Sequence, residues 1–158
     1  MFKKIILIIS CLVLVISLCA CNGHKSVSYT YVIDTGDAVK VTLDTTNSDY
    51  SIKPDGSDFV IYYGDELIIA QGYFIGAYSF GDYLAIITQN ENVEIVEQTD
   101  KKIVYKYQDD KDAEYDMIEC ISDLTGVVVG SNITGEVTNE MAKDILSRLT
   151  FTITDTLE

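Results

Sequence analysis

The sequence predicts an α+β domain: an antiparallel sheet of about six to eight strands in a meander, with an amphipathic C-terminal helix packed on it. A second, short helix is an open alternative in mid-chain. Three observations predict this. Apolar and polar residues alternate with period two along much of the chain, the breaks between alternating runs are short, and helical spacing is clear only over residues 139–149.

Taken in order, the first β-rich run is 28–34, with Tyr29, Tyr31, Val32 and Ile33, closed by the turn residues Thr35-Gly36-Asp37. Val39, Val41 and Leu43 then alternate with Lys40, Thr42 and Asp44, the pattern of a half-buried strand. Asn47-Ser48-Asp49 and Pro54-Asp55-Gly56 bracket a short piece at 50–53. Runs 59–63 and 66–71 flank Gly64-Asp65, a hairpin signal. Residues 72–88 are nearly all apolar. Phe80, Tyr83, Leu84 and Ile87 share one side at helical spacing, which favours a helix over 83–89 capped by Asp82, with a fully buried strand as the alternative. Four strands follow at 93–98, 103–108, 114–121 and 127–131, and their short connections suit an antiparallel meander. In the helix at 139–149, Met141, Ala142, Ile145, Leu146 and Leu149 form the apolar stripe, and Arg148 in the last turn complements the dipole. A last strand covers 151–154. This order of elements, with Thr125-Gly126-Val127-Val128-Val129-Gly130-Ser131 running into the last helix, resembles the Mog1/PsbP-like domains over about residues 28–155. Such a resemblance implies fold and carries no function.

The N-terminus carries a different kind of information. Met1-Phe2-Lys3-Lys4 precedes an apolar run to Ala20 of 16 residues, short of the roughly 20 that a spanning helix needs. A basic end, an apolar middle and a small residue before the cut are the parts of an export signal. Leu18-Cys19-Ala20-Cys21 resembles the lipobox of bacterial lipoproteins. The resemblance covers about the first 21 residues and implies diacylglyceryl transfer to the Cys21 thiol, then cleavage before it. The expected organisation is a signal peptide at 1–20, a lipidated Cys21 with a short tether to residue 27, and one extracytoplasmic domain at 28–158. Fully extended, that tether reaches roughly 20 Å.

Losing Lys3 and Lys4 with the leader takes the formal charge from −14 to −16. An acidic surface of this strength repels nucleic acid and anionic head groups, so neither is an expected partner. With Cys11 and Cys19 removed and Cys21 lipidated, only Cys120 is left, and an internal disulfide is excluded. Its neighbours Ile118 and Ile121 place Cys120 at a buried strand position. The abundance of Ile, Lys, Asp and Tyr, beside one Arg and one Pro, points to an AT-rich, Gram-positive source.

Catalytic inventory is thin. The single histidine, His24, lies in the tether, which removes most Ser-His-Asp and Cys-His arrangements. Zinc-ligand sets, GxGxxG and Walker loops are missing from the sequence, so no cofactor is expected. The densest acidic cluster is Asp109, Asp110, Asp112, Glu114 and Asp116. It fails as an EF-hand because Tyr115 stands where Gly is needed and Ile121 where Glu is needed. It reads as a loop of solvated acids, with weak calcium binding as the alternative. Tyrosine is the enriched aromatic, with 11 copies. Tyr105 and Tyr107 share a face with Ile103 and read as core, whereas Tyr62 points away from Ile61 and Tyr63 and is the candidate exposed ring. The expected function is a non-catalytic, membrane-anchored module that binds a protein or envelope component on the extracytoplasmic face. A carboxylate-only glycan-active enzyme and a calcium- or carbohydrate-binding module are the rivals.

Overall fold

Alternation in the sequence becomes alternation in burial. The computed structural model describes residues 23–107, 115–131 and 136–154. Strands β1 (Ser26–Val32) and β2 (Ala38–Asp44) form a hairpin, and the final strand β10 (Leu149–Thr154) returns to the other side of β2, giving a three-stranded antiparallel sheet. In β2, Val39, Val41 and Leu43 are fully buried, while on the opposite face Thr42 and Ser28 hydroxyls meet at 2.8 Å.

The other seven strands form a second antiparallel sheet. These are β3 (Tyr50–Asp55), β4 (Asp58–Tyr63), β5 (Leu67–Gly76), β6 (Val93–Gln98), β7 (Lys102–Tyr107), β8 (Tyr115–Cys120) and β9 (Thr125–Gly130). Their spatial order is β3-β4-β5-β9-β8-β7-β6. Among the described residues, the expected single meander of six to eight strands is therefore corrected to ten strands in two sheets. Two meanders, β3-β4-β5 and β6-β7-β8-β9, are joined where β9 pairs with β5. That pairing is possible because β5 runs for 10 residues, through Gly72 and on to Gly76, well beyond the expected end at Gln71. Gly72 is required there by packing. A Cβ at this position would stand 2.0 Å from Cζ of Phe59, which fills the space above it. Pro54 is tolerated because β3 is an edge strand.

Burial on both sheet faces explains the unbroken apolar runs. In β9, Val127 and Val129 enter a core shared with the three-stranded sheet, whereas Val128 faces a second cluster with Ile103 and Ile118. After a 3-10 turn at Ala77–Ser79, helix α1 (Phe80–Gln89) covers this second cluster with Ile87, Phe80, Tyr83 and Leu84. The helical alternative thus holds for the ambiguous segment, but Asp82 lies inside the first turn and Ser79 is the N-cap residue. Helix α2 (Asn139–Ser147) starts at Thr138, whose hydroxyl accepts from Met141 N–H. It lies against β5 and β8 and buries Ala142, Ile145 and Leu146.

Two smaller expectations are also corrected. Cys120 is half-buried, not in the core, because it ends β8 opposite Gly126. Residues 26 and 27, assigned to the tether, already belong to β1 and pair with Asp44 and Leu43. Among the described residues no helix is long and apolar enough to cross a membrane.

Candidate functional site

Of the residues singled out from the sequence, Cys21, Asp109, Asp110, Asp112 and Glu114 lie outside the described residues. Asp116 is described, and it is not a solvated loop acid. It sits on β8, 8 % exposed, between Tyr105 on β7 and Gly130 on β9. Cross-strand partners share a face, so Asp116 looks toward the α1 side with Tyr105, whose hydroxyl donates to its carboxylate. Burial and that carboxylate hold the Tyr105 phenol well above its usual range. The Tyr105 and Tyr107 rings meet edge to face at 5.6 Å, and both join the second cluster. Nearby, the Tyr73 and Tyr83 hydroxyls are hydrogen-bonded, and burial with that bond pushes Tyr73 up to about 12. The expected exposed ring, Tyr62, is instead half-buried under Lys53, whose Nζ stands 4.5 Å from the ring centroid. Its neighbour Tyr63 is exposed instead, because it ends β4 beyond the core. Among the described residues no group of three or more His, Cys, Asp or Glu could hold a metal ion.

A polar network missed by sequence reading ties the two sheets together. The β1–β2 turn places Asp37 so that its Oδ2 accepts from Ser122 Oγ at 2.5 Å and Thr125 Oγ1 at 2.7 Å. With its proton committed to Asp37, Thr125 Oγ1 accepts from Thr35 Oγ1 at 2.5 Å. Ser122 Oγ also accepts the N–H groups of Leu124 and Thr125. Turn chemistry marks each partner segment locally, but nothing in the sequence links turns 85 residues apart. Beside this network a cleft of about 190 Å³ opens, lined by Asp34, Asp58, Thr35, Ser57, Val32 and Phe74 among others.

The two hydroxyl donors hold the Asp37 carboxyl below the usual carboxylate range. A carboxylate with a depressed folded-state pKa stabilises the fold above its unfolded value, and that contribution is lost as pH falls through the folded one. Urea midpoints should therefore fall as pH drops below 3.8, the ordinary aspartate value. Asp37→Asn is expected to make that fall shallower than in the parent protein. Identical pH profiles for the two proteins would contradict the assignment.

A second concavity, about 220 Å³, lies at the other end of the sheets between Asn47, Asp49, Tyr50, Tyr63, Asp144 and Arg148. Three of its groups, Arg148, Asp144 and Tyr50, are already engaged within the chain. Arg148 Nε donates to Asp144 at 2.9 Å, and Nη1 donates to the Thr46 carbonyl at 3.0 Å and the Asp44 carbonyl at 3.4 Å. The guanidinium carbon stands 5.4 Å from the Tyr50 ring centroid. Burial and a hydrogen bond to Asp144 push the Tyr50 phenol up to about 12. This is a staple between the end of α2 and the β2–β3 turn. Arg148→Ala should cost about 1–3 kcal/mol by chemical denaturation, since two carbonyls and a carboxylate lose a charged donor. Arg148→Lys should restore only part of it, because an ammonium cannot fork between those acceptors. Full stability in Arg148→Ala would contradict the staple.

No family model, no curated protein sequence and no solved structure matches the chain significantly.

Proposed function

We propose that the chain is a bacterial lipoprotein, held by lipid on Cys21 at the extracytoplasmic face of a cell membrane. Its folded domain acts as a non-catalytic binding or accessory module for a protein or envelope component. The observation that carries the anchoring is Leu18-Cys19-Ala20-Cys21 placed after a basic end and an apolar run. The position of the domain supports it. Lys25 N–H already donates to Thr46 Oγ1 at 2.8 Å, so three residues, 22–24, separate Cys21 from a residue hydrogen-bonded to the domain. A tether of that length reaches about 13 Å when extended, which holds the domain against the membrane. Two or three acyl chains on one cysteine give a stable anchor where one gives a marginal one.

The stripe Ala142, Ile145 and Leu146 supports α2 as an amphipathic cover laid on the sheet. The succession of strands, mid-chain helix, meander, helix and strand supports a likeness to Mog1/PsbP-like domains, as a proposal about fold alone.

The test is whole-cell labelling with an alkyne analogue of palmitate, followed by mass spectrometry of the mature N-terminus. The expected result is a chain beginning at a labelled Cys21. An unlabelled chain, or one still beginning at Met1, overturns the anchor.

A further inference from the structure

Three elements meet at the end of the domain opposite the start of β1. The Asp37 network joins the β1–β2 turn to the β8–β9 turn, and Ala77 N–H donates to the Leu124 carbonyl at 2.9 Å, bringing in the 3-10 turn. Each element contributes a markedly exposed apolar side chain: Val32 is 61 % exposed, Tyr78 88 % and Leu124 55 %. Tyr78 is presented on a fixed base, since its ring lies so close over Gly76 that a Cβ there would stand 2.3 Å from a ring carbon. Isolated exposed apolar residues are ordinary, but several gathered at one end of a domain beside polar groups mark an interaction surface.

The rim is acidic. Asp34, Asp58 and Asp123 are exposed at this end, and among the described residues the charged ones lining the adjoining cleft are Asp34 and Asp58. Tyr31 packs behind the Phe74 wall of that cleft, ring centroids 5.4 Å apart, and its buried hydroxyl has no hydrogen-bond partner among the described residues.

We propose that this end is a docking surface for another protein, one presenting an apolar patch ringed by Lys or Arg, with one basic side chain entering the cleft between Asp34 and Asp58. The proposal rests on the reading of the domain as an anchored binding module, and says which surface binds and what chemistry it takes. Two other occupants fit poorly. The seven residues of β1 carry the chain about 20 Å from the anchored end, which points this surface away from the bilayer. A second copy would bring its own Asp34, Asp58 and Asp123 against the same set, and like charges across an interface are costly.

The experiment uses the full-length, membrane-anchored protein in its own cells, with the photo-crosslinker benzoylphenylalanine at position 78 or, as control, at exposed position 65 in the β4–β5 turn. The expected result is a discrete protein adduct from 78 and none from 65, with the crosslinked partner segment apolar and flanked by Lys or Arg. Combining the position-78 probe with Asp34→Lys and Asp58→Lys should lower adduct yield at least about tenfold, with the circular-dichroism spectrum unchanged. If that pair disturbs the spectrum, Asp34→Asn with Asp58→Asn replaces it, and a severalfold loss is expected. An adduct to a second copy, an adduct to lipid, a yield indifferent to the charge changes, or no discrete adduct at 78 overturns the proposal. Palmitate labelling of the same cells separates the failures. A labelled protein without the adduct sinks the docking surface alone, whereas an adduct on an unlabelled protein sinks the anchor alone.

Discussion

Phe59→Ala should cost about 3–5 kcal/mol, a large part of the 5–15 kcal/mol that holds a domain of this size together. Phe59 is fully buried on β4, and its ring centroid lies 6.3 Å from that of Tyr31, 6.1 Å from Phe74 and 6.1 Å from Phe151. Tyr31 and Phe151 belong to the three-stranded sheet, whereas Phe59 and Phe74 belong to the seven-stranded one. Truncation therefore opens a void at the seam between sheets, where neither can close it without parting from its own ladder. Urea denaturation of the mature protein measures the loss, and an unchanged midpoint would refute the seam.

The same site gives a coupled test. Gly72→Ala alone drives a methyl into the Phe59 ring, and overpacking of this kind costs about 1–3 kcal/mol. Phe59→Leu shortens the ring side of the contact. Combined with Gly72→Ala it should cost less than the sum of the two single changes, because the second change relieves the clash made by the first. Strict additivity would mean that the two residues do not touch.

Cys21→Ser should abolish lipid attachment and leave the leader uncleaved, an all-or-none effect. A serine hydroxyl lacks the nucleophilicity of a thiolate, so the diacylglyceryl group has no acceptor. The uncut chain would keep an apolar run of 16 residues behind Lys3 and Lys4, enough to associate with the membrane but short for a stable span. Gel mobility should report the longer chain, and palmitate label should vanish. A Cys21→Ser protein that is cleaved and labelled as before would remove the basis of the anchoring proposal.

Much of the fold was legible where a single physical pattern dominates. Val39, Val41 and Leu43 declare their strand because only one face of β2 is buried, and residues 93–98 match β6 to the residue. Helix α1 was harder to read because its segment begins as a strand. From 67 to 76 the chain is extended and from 80 to 89 it is helical, while apolar content stays high throughout. Apolar side chains on both faces of β5, with Phe74 against the first cluster and Ile75 against the second, erase the period-two signal there, so periodicity could not show where β5 ends. The candidate site was less legible still. Asp116 resembled its acidic neighbours in sequence, yet its place opposite Tyr105 puts it under α1 and out of water.

The sequence by itself determined the class of the domain, its antiparallel character, its acidic charge and the lipobox-like segment 18–21 on which the anchoring proposal stands. All of these rest on local spacing or on composition. Only the tertiary structure decided that the strands divide into two sheets, since the β5–β9 and β2–β10 pairings join segments far apart in the chain. The same long-range closure brought Asp37 to Ser122 and Thr125, and drew Val32, Tyr78 and Leu124 to one end. Neighbourhoods of that kind follow from the pairing of distant strands and from sheet stacking, which no local pattern of residues specifies.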